Sequence, residues 1–411
     1  FQQMVPLVLF VVLGFAAPWL GAVGTTRYVD DNTCPSVGNG TLASPYCKIQ
    51  DAVCAAVSTD TVSVAPGTYL EAVRMRPGVS LISQGGAAVT TINAANQPCT
   101  DNTFCAKRTG TGCTVVTFAS GHTTATRLEG FTVTGGAGLT QTNWVAGGGV
   151  YLFSSATVVN NVITNNTLAG PRREFRGAGV YVALGQPVIS GNTITSNMAI
   201  PAAGTLSAIT YGYGGGIWVG FNSGPIITNN IIQGNHAGDP NVAYSLGGGG
   251  GIIVWPGEIN YAGAIIDRNL VADNLTDSIG GGIALSSQLN TATLTAVTNN
   301  VIVGNRSDKN GGGIYTYFNQ SSTINNTITG NWAFLGGGIY TGQSDSTLPV
   351  KITNNIIDGN RLFQFGTGGG IYSLDLSTTF DPNISSNDLF GNDRNQVAGE
   401  LTDAAVIGAN G

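Results

Sequence analysis

The chain has 411 residues, with Lys plus Arg 16, Asp plus Glu 22 and a net charge of −6. So little charge leaves no basic stripe, which excludes nucleic acid as a partner, while 42% hydrophobic residues exclude a disordered chain. Glycine, at 61 residues, is far above ordinary usage.

The elements follow in chain order. Met4 to Gly24 carries no charge. It fits an export signal cleaved near residue 24 or, alternatively, a retained segment that anchors in a membrane or packs on a partner. Membrane contact is expected only through residues 4–24, and only if they are retained. Residues 25–60 read as an N-terminal cap, with apolar residues at helical spacing from Ile49 to Val57. The cysteines, Cys34, Cys47, Cys54, Cys99, Cys105 and Cys113, all lie in the first third. An even number clustered there predicts disulfides and an oxidising compartment, with the pairing left open. From Thr61 the segment TVSVAPGTYLEAV alternates as a strand, turns at Pro66-Gly67 and resumes.

Residues 61–395 are dominated by one repeated phrase: a glycine run, a branched apolar residue, a short strand, a paired-asparagine turn and a closing Gly-Asn. The apolar residue falls at Val150, Val180, Ile217, Ile252, Ile283, Ile314, Ile339 and Ile371, in steps of 25 to 37 residues. Such a period marks a solenoid, in which each repeat buries its apolar face only against its neighbours. The shortest unit divides into three strands, GGGIYTY, SSTINN and TITGN. The pattern predicts an all-β right-handed parallel β-helix with three strands per coil and about eleven coils, a rod roughly 50 Å long. Asn161, Asn192, Asn230, Asn269, Asn300, Asn326, Asn355 and Asn387 are expected to form one ladder, give or take a residue. Asn166, Asn197, Asn235, Asn274, Asn305, Asn331, Asn360 and Asn392 are expected to form another. The glycine runs precede strands rather than helices, so they read as tight corners and not as phosphate loops. Residues 396–411 are a tail or C-terminal cap.

The helical IQ-x-AV-x-AA stretch followed by DTVSVAPGTYLEAV, and the later GGGI and NN-x-I-x-GN phrases, resemble right-handed parallel β-helix proteins of the pectate-lyase-like superfamily. The resemblance covers about residues 28–395 and implies the fold. It does not imply one activity, because the superfamily holds lyases, hydrolases, epimerases, adhesins and structural proteins.

Three sets of residues could carry chemistry. The residue after each inward apolar one is Tyr151, Tyr181, Trp218, Tyr315, Tyr340 and Tyr372, broken by Ile253 and Ala284. Strand alternation turns these rings outward, where they would line one face of the rod and either hold sugar rings or stiffen the sheet by stacking. The second set is acidic: Glu258, Asp267, Asp273 and Asp277, with Arg268 beside them. The resemblance implies a lyase alternative. There Asp267, Asp273 and Asp277 would bind calcium, and Glu258, Asp267, Arg268 and Asp273 would serve catalysis. Calcium needs six to eight converging oxygens. The Asn-Thr-Asp, Asp-Asp and Gly-His-Gly signatures of the polygalacturonase-like branch are missing from the repeats, and His122 and His236 read as surface or turn residues. The third set is the sequons at Asn39, Asn165, Asn274, Asn305, Asn319, Asn325 and Asn383, read as by-products of an Asn/Thr-rich repeat, with Asn325 placed in a ladder.

The reading is an exported structural or adhesive protein of the cell surface, a filament or matrix subunit with glycan contact along the aromatic row. Its expected partners are itself, end-on or laterally, other surface proteins and polysaccharide. It needs no cofactor, or calcium if the alternative holds, which is a polysaccharide lyase or other glycan-active enzyme.

Overall fold

The computed structural model describes residues 24–97, 113–168, 172–200, 210–238, 245–255, 263–286, 294–317, 321–342, 350–374 and 382–399. Residues 1–23, Cys99, Cys105, Glu258 and Asn319 lie outside them. The described strands stack into three long parallel sheets of 12, 11 and 11 strands. One winding shows how the sequence is used. Ile314–Tyr317 lies in the sheet that follows the glycine runs, called here the glycine sheet. Ser321–Ile324 lies in the first sheet and Thr327–Thr329 in the second. The chain then runs through Trp332–Leu335 and returns to the glycine sheet at Ile339–Thr341. Ile314 pairs with Ile339 and Ile328 with Ile357, so like residues stack in register. Their side chains are fully buried in one continuous aliphatic core. Inward Ile and Val at every second strand position is what this burial selects.

The paired asparagines divide their labour. The first of each pair takes the left-handed conformation, with φ of 56° at Asn160, Asn229, Asn299 and Asn354 and 58° at Asn325. Asparagine tolerates that region at low cost. The second is buried and makes the ladder. Asn300 Nδ2 donates to Asn326 Oδ1 at 3.0 Å and to Ile266 O at 2.8 Å, and its own Oδ1 accepts from Asn269 N and Nδ2 at 2.9 and 3.0 Å. Every buried amide is thereby satisfied by the winding beside it. The same bonds link Asn166 to Asn197 and onward to Asn392. Asn325 is therefore exposed and not in the ladder, contrary to expectation; Asn326 holds that place. Among the sequons it is Asn274 and Asn305 that are buried.

The glycine triplet serves the same stacking. Gly311 turns the chain at φ +67°, and a Cβ on Gly313 would sit 2.6 Å from Gly338 O and 3.1 Å from Asn331 Nδ2. A methyl group would push the coils and the ladder apart.

At the first end, Thr26–Val29 pairs in parallel with Thr61–Val64, so the stack begins inside the segment read as a cap. A helix, Ile49–Ala55, buries Ile49, Ala52 and Val53 in the main core. Both oxygens of Glu71 accept from its first free N–H groups, Ile49 N at 2.8 Å and Gln50 N at 2.9 Å. Cys34 and Cys47 form a disulfide, and Cys54 and Cys113 are also disulfide-bonded.

The three-strand division omits a fourth side. The segments between the closing asparagine and the next glycine run leave the rod and come back. Their outgoing strands, from Thr167–Leu168 to Arg361–Thr367, make a seven-stranded sheet. Four returning strands, including Trp144–Ala146, Glu174–Arg176 and Thr210–Tyr213, make a five-stranded one with Leu139–Thr140, which pairs antiparallel to the first of them. Val145, Leu168, Phe175, Ala178 and Ala199 form a small core of their own. This flange stands beside the glycine sheet along its length.

Candidate functional site: the aromatic seam and its open edge

Alternation sends the aromatic row out of the main core, as the sequence predicts, but not into solvent. Tyr181 and Trp218 are each 1% exposed, Tyr340 4%, and Tyr151 and Tyr315 8%; Tyr372 is half-buried. The expectation of an open row fails because the returning strands of the flange lie against it. Ala146, Arg176, Tyr213 and Gly248 are in register in those strands, and the line continues through single bridges at Ile279, Asn310 and Leu335. Ala146, Tyr213, Ile279 and Leu335 join the rings in a second apolar cluster outside the main core.

The rings stack at about the coil spacing. Centroids are 4.8 Å apart for Tyr151–Tyr181, 4.6 Å for Tyr181–Trp218, 5.1 Å for Tyr315–Tyr340 and 5.5 Å for Tyr340–Tyr372. Such pairs contribute about 0.5–1.5 kcal/mol each beyond area burial. Burial pushes the Tyr151 hydroxyl up to about 12, and burial followed by the neighbouring Tyr372 and Tyr317 pushes Tyr340 up to about 12. Both stay protonated at neutral pH.

A cation lies within the seam. Arg176 forms an ion pair with Glu174, and its guanidinium carbon lies 5.3 Å from the Trp218 ring, 5.3 Å from Phe221 and 5.6 Å from Trp144. Its Nε and Nη1 are buried without a hydrogen-bond partner. The ring faces compensate that partly buried charge.

The seam closes on the flange side and thins toward its other edge. Two residues beyond each stacked position comes a second outward place. Phe153, Trp255, Tyr317 and Leu374 occupy it, all half-buried and all packed on the cluster. Trp144, Tyr211 and Phe221 are likewise half-buried against it. Sequence reasoning missed these rings. The +2 column was available as a signal, because the same alternation that places Tyr315 also places Tyr317; Trp144, Glu174, Arg176, Tyr211 and Tyr213 sit in insertions that do not repeat.

The acidic candidates are not gathered. Asp267 ends a strand of the first sheet, Asp273 lies in the turn after Leu270–Ala272 of the second, and Asp277 follows Leu275–Thr276 in the flange. Each has local work. Asp267 accepts from Thr298 Oγ1 and Asn299 Nδ2, both at 2.8 Å, and pairs with Arg268 at 3.0 Å. Burial raises its carboxyl, but these hydrogen bonds and Arg268 outweigh that and hold it below the usual value. Asp273 Oδ2 accepts from Gln233 Nε2 at 3.0 Å, and Asp277 Oδ1 accepts from Gly247 N. Among the described residues no group of three or more His, Cys, Asp or Glu side chains could hold a metal ion. His122 lies in the irregular stretch between two turns and is not a surface residue: it is 5% exposed, and burial followed by Arg74 lowers its imidazole to about 4.

Three long parallel sheets wound around an aliphatic core with asparagine corners define the class, a right-handed parallel β-helix. Within that class, the chain belongs to the family described as "Protein of unknown function (DUF1565)", whose model matches residues 35–253. The model "Right handed beta helix region" matches residues 204–348. No curated protein matches the sequence. Among solved structures, the chain is similar to the A-module of the mannuronan C-5 epimerase AlgE4 from Azotobacter vinelandii, at 15% identity over 90% of this chain and 100% of that one, with a TM-score of 0.46. The A-module of AlgE6 from the same organism is 14% identical over 88% of this chain and 96% of that one, with a TM-score of 0.43. The GH136 lacto-N-biosidase from Eubacterium ramulus is 12% identical over 89% of this chain and 67% of that one, with a TM-score of 0.38.

Proposed function

We propose that the protein is an exported β-helix that binds a polysaccharide along the open edge of the aromatic seam, as an adhesive or matrix component of the cell surface. The observation that carries this reading is the set of half-buried rings Phe153, Phe221, Trp255 and Tyr317 on the glycine-sheet side, with Trp144 and Tyr211 on the flange strands, all packed on a buried stack of further rings. The buried stack fixes their positions, so little freedom is lost when a sugar face settles on them. The coil spacing repeats the contact along the rod, which suits a polymer better than a single small molecule. The Cys34–Cys47 disulfide supports an oxidising compartment. Association with other copies or other surface proteins belongs to the same reading.

Affinity electrophoresis of the whole protein through gels carrying neutral polysaccharides tests it. At least one polymer should retard the protein, and F221A and W255A should each weaken that retardation several-fold while the protein still melts cooperatively. Retardation by no polymer, or retardation untouched by both substitutions, would overturn the reading. Calcium-dependent cleavage of an acidic polysaccharide, lost in D267N or D273N, would replace it with the lyase alternative.

A further inference from the structure

The outer side of the flange, facing away from the seam, carries a second cluster of rings near the last windings. Arg306, Trp332 and Arg361 stand in register on three consecutive outgoing strands. The Arg361 guanidinium carbon is 5.7 Å from the Trp332 ring and that of Arg306 is 5.0 Å from Phe363, while Trp332 meets Phe363 edge-on at 5.7 Å. Unlike the seam, this cluster is open. Trp332 is 36% exposed, Phe334 40% and Phe365 78%.

Phe365 is held out rather than merely left out. Where Ala333 to Leu335 spans one intervening residue, the paired Leu362 to Thr367 spans four, so three extra residues bulge from the strand. At the tip Phe365 has φ 68°, a conformation that is an outlier for a bulky residue and that persists only where the surroundings impose it. The bulge is braced: Arg394 Nη1 donates to Gly366 O at 2.6 Å, and Leu362 N donates to Asp393 Oδ2 at 3.0 Å. A strained, braced and exposed phenylalanine on the strand that carries Arg361 is a built feature. The arginines differ. Arg306 donates through Nε and Nη2 to Asp308 Oδ1 at 3.0 and 2.9 Å. The Arg361 side chain is exposed and makes no hydrogen bond or ion pair among the described residues.

We propose that this patch binds an acidic polysaccharide, with sugar rings stacked on Trp332, Phe334 and Phe365 and the carboxylate or sulfate groups held by Arg361 and Arg306. Ring faces alone would suit any sugar. The unpaired, stacked guanidinium selects an anion, which it can bind with paired N–H groups. In a chain with 16 Lys and Arg among 411 residues, two arginines flanking one tryptophan are uncommon, and Asp308 balances only Arg306.

The test uses the full chain and three probes: polygalacturonate, dextran sulfate and neutral dextran, with dissociation constants measured at low and moderate salt. One or both polyanions should bind, neutral dextran should not match them, and salt should weaken the interaction. R361A should weaken it about tenfold, as expected for loss of a charge-assisted contact to the anion, and F365A several-fold, for loss of a stacked ring face. Both residues are exposed, so the variants should melt with the wild type. F221A, in the seam, should leave polyanion binding unchanged, so that this inference and the proposed function fail separately. Polyanion affinity equal in wild type and R361A, or neutral dextran bound as tightly by the F221A protein, would overturn the assignment. So would binding to phosphatidylserine vesicles in place of both polyanions, or F365-dependent dimerisation without polyanion binding.

Discussion

The molecule has two long apolar cores, and they are built on different rules. The inner one is aliphatic: Ile, Val and Leu in columns, closed at two corners by asparagine ladders and buried throughout. The outer one, between the glycine sheet and the flange, is aromatic, holds a partly buried arginine and thins to half-buried rings at one edge. The inner core is enclosed by every winding on its own terms. The outer one exists only because insertions of irregular length fold back over it. A repeat can thus specify the rod, while what the rod presents to its surroundings depends on segments outside the repeat.

The largest expected effect belongs to the inner ladder. N300A removes an amide that makes two donations and receives two. Leaving those buried partners unsatisfied should cost about 4 kcal/mol or more, read as a lower denaturation midpoint. The outer core should respond nearly as strongly if it is packed as a true core. W218A, at a site 1% exposed, should cost about 3–5 kcal/mol. A loss near that of a surface residue would mean that the flange is not closed over the seam in solution. Inside the rod, I314V removes one methyl group from a buried column and should cost about 1 kcal/mol. The smallest contrast lies within one asparagine pair. N299G, at φ 56°, should lose only its exposed hydrogen bond to Asp267, about 1 kcal/mol, because glycine accepts that conformation, whereas N299A should lose about 1 kcal/mol more. If N299G proved as damaging as N300A, the division of labour within the pair would be wrong.

The inner core was legible because each of its requirements recurs. A glycine run with a branched apolar residue returns every 25 to 37 residues and a corner asparagine every 26 to 39, and a periodic demand leaves a periodic trace. The ladder positions from Asn161 to Asn392 follow from that trace alone, although the sequon at Asn325 misled, since only φ tells the left-handed member of a pair from the inward one. The aromatic row was legible as a row and not as a buried one. Alternation gives the side of the strand on which Tyr181 and Trp218 lie, but the cover comes from Arg176 and Tyr213, in segments without a common length or phrase. The acidic residues illustrate the reverse. Asp267, Asp273 and Asp277 are near in sequence, yet a winding of short strands carries each to a different side.

The central claim is that the flange seals the stacked rings while leaving an accessible edge. Acrylamide quenching of single-tryptophan proteins tests it most directly, retaining Trp218 in one and Trp255 in the other and replacing the remaining tryptophans by phenylalanine. The account predicts blue-shifted, nearly unquenched emission from Trp218 and partial quenching at Trp255, reduced by any polysaccharide that binds the edge. Equal and efficient quenching at both positions would contradict it.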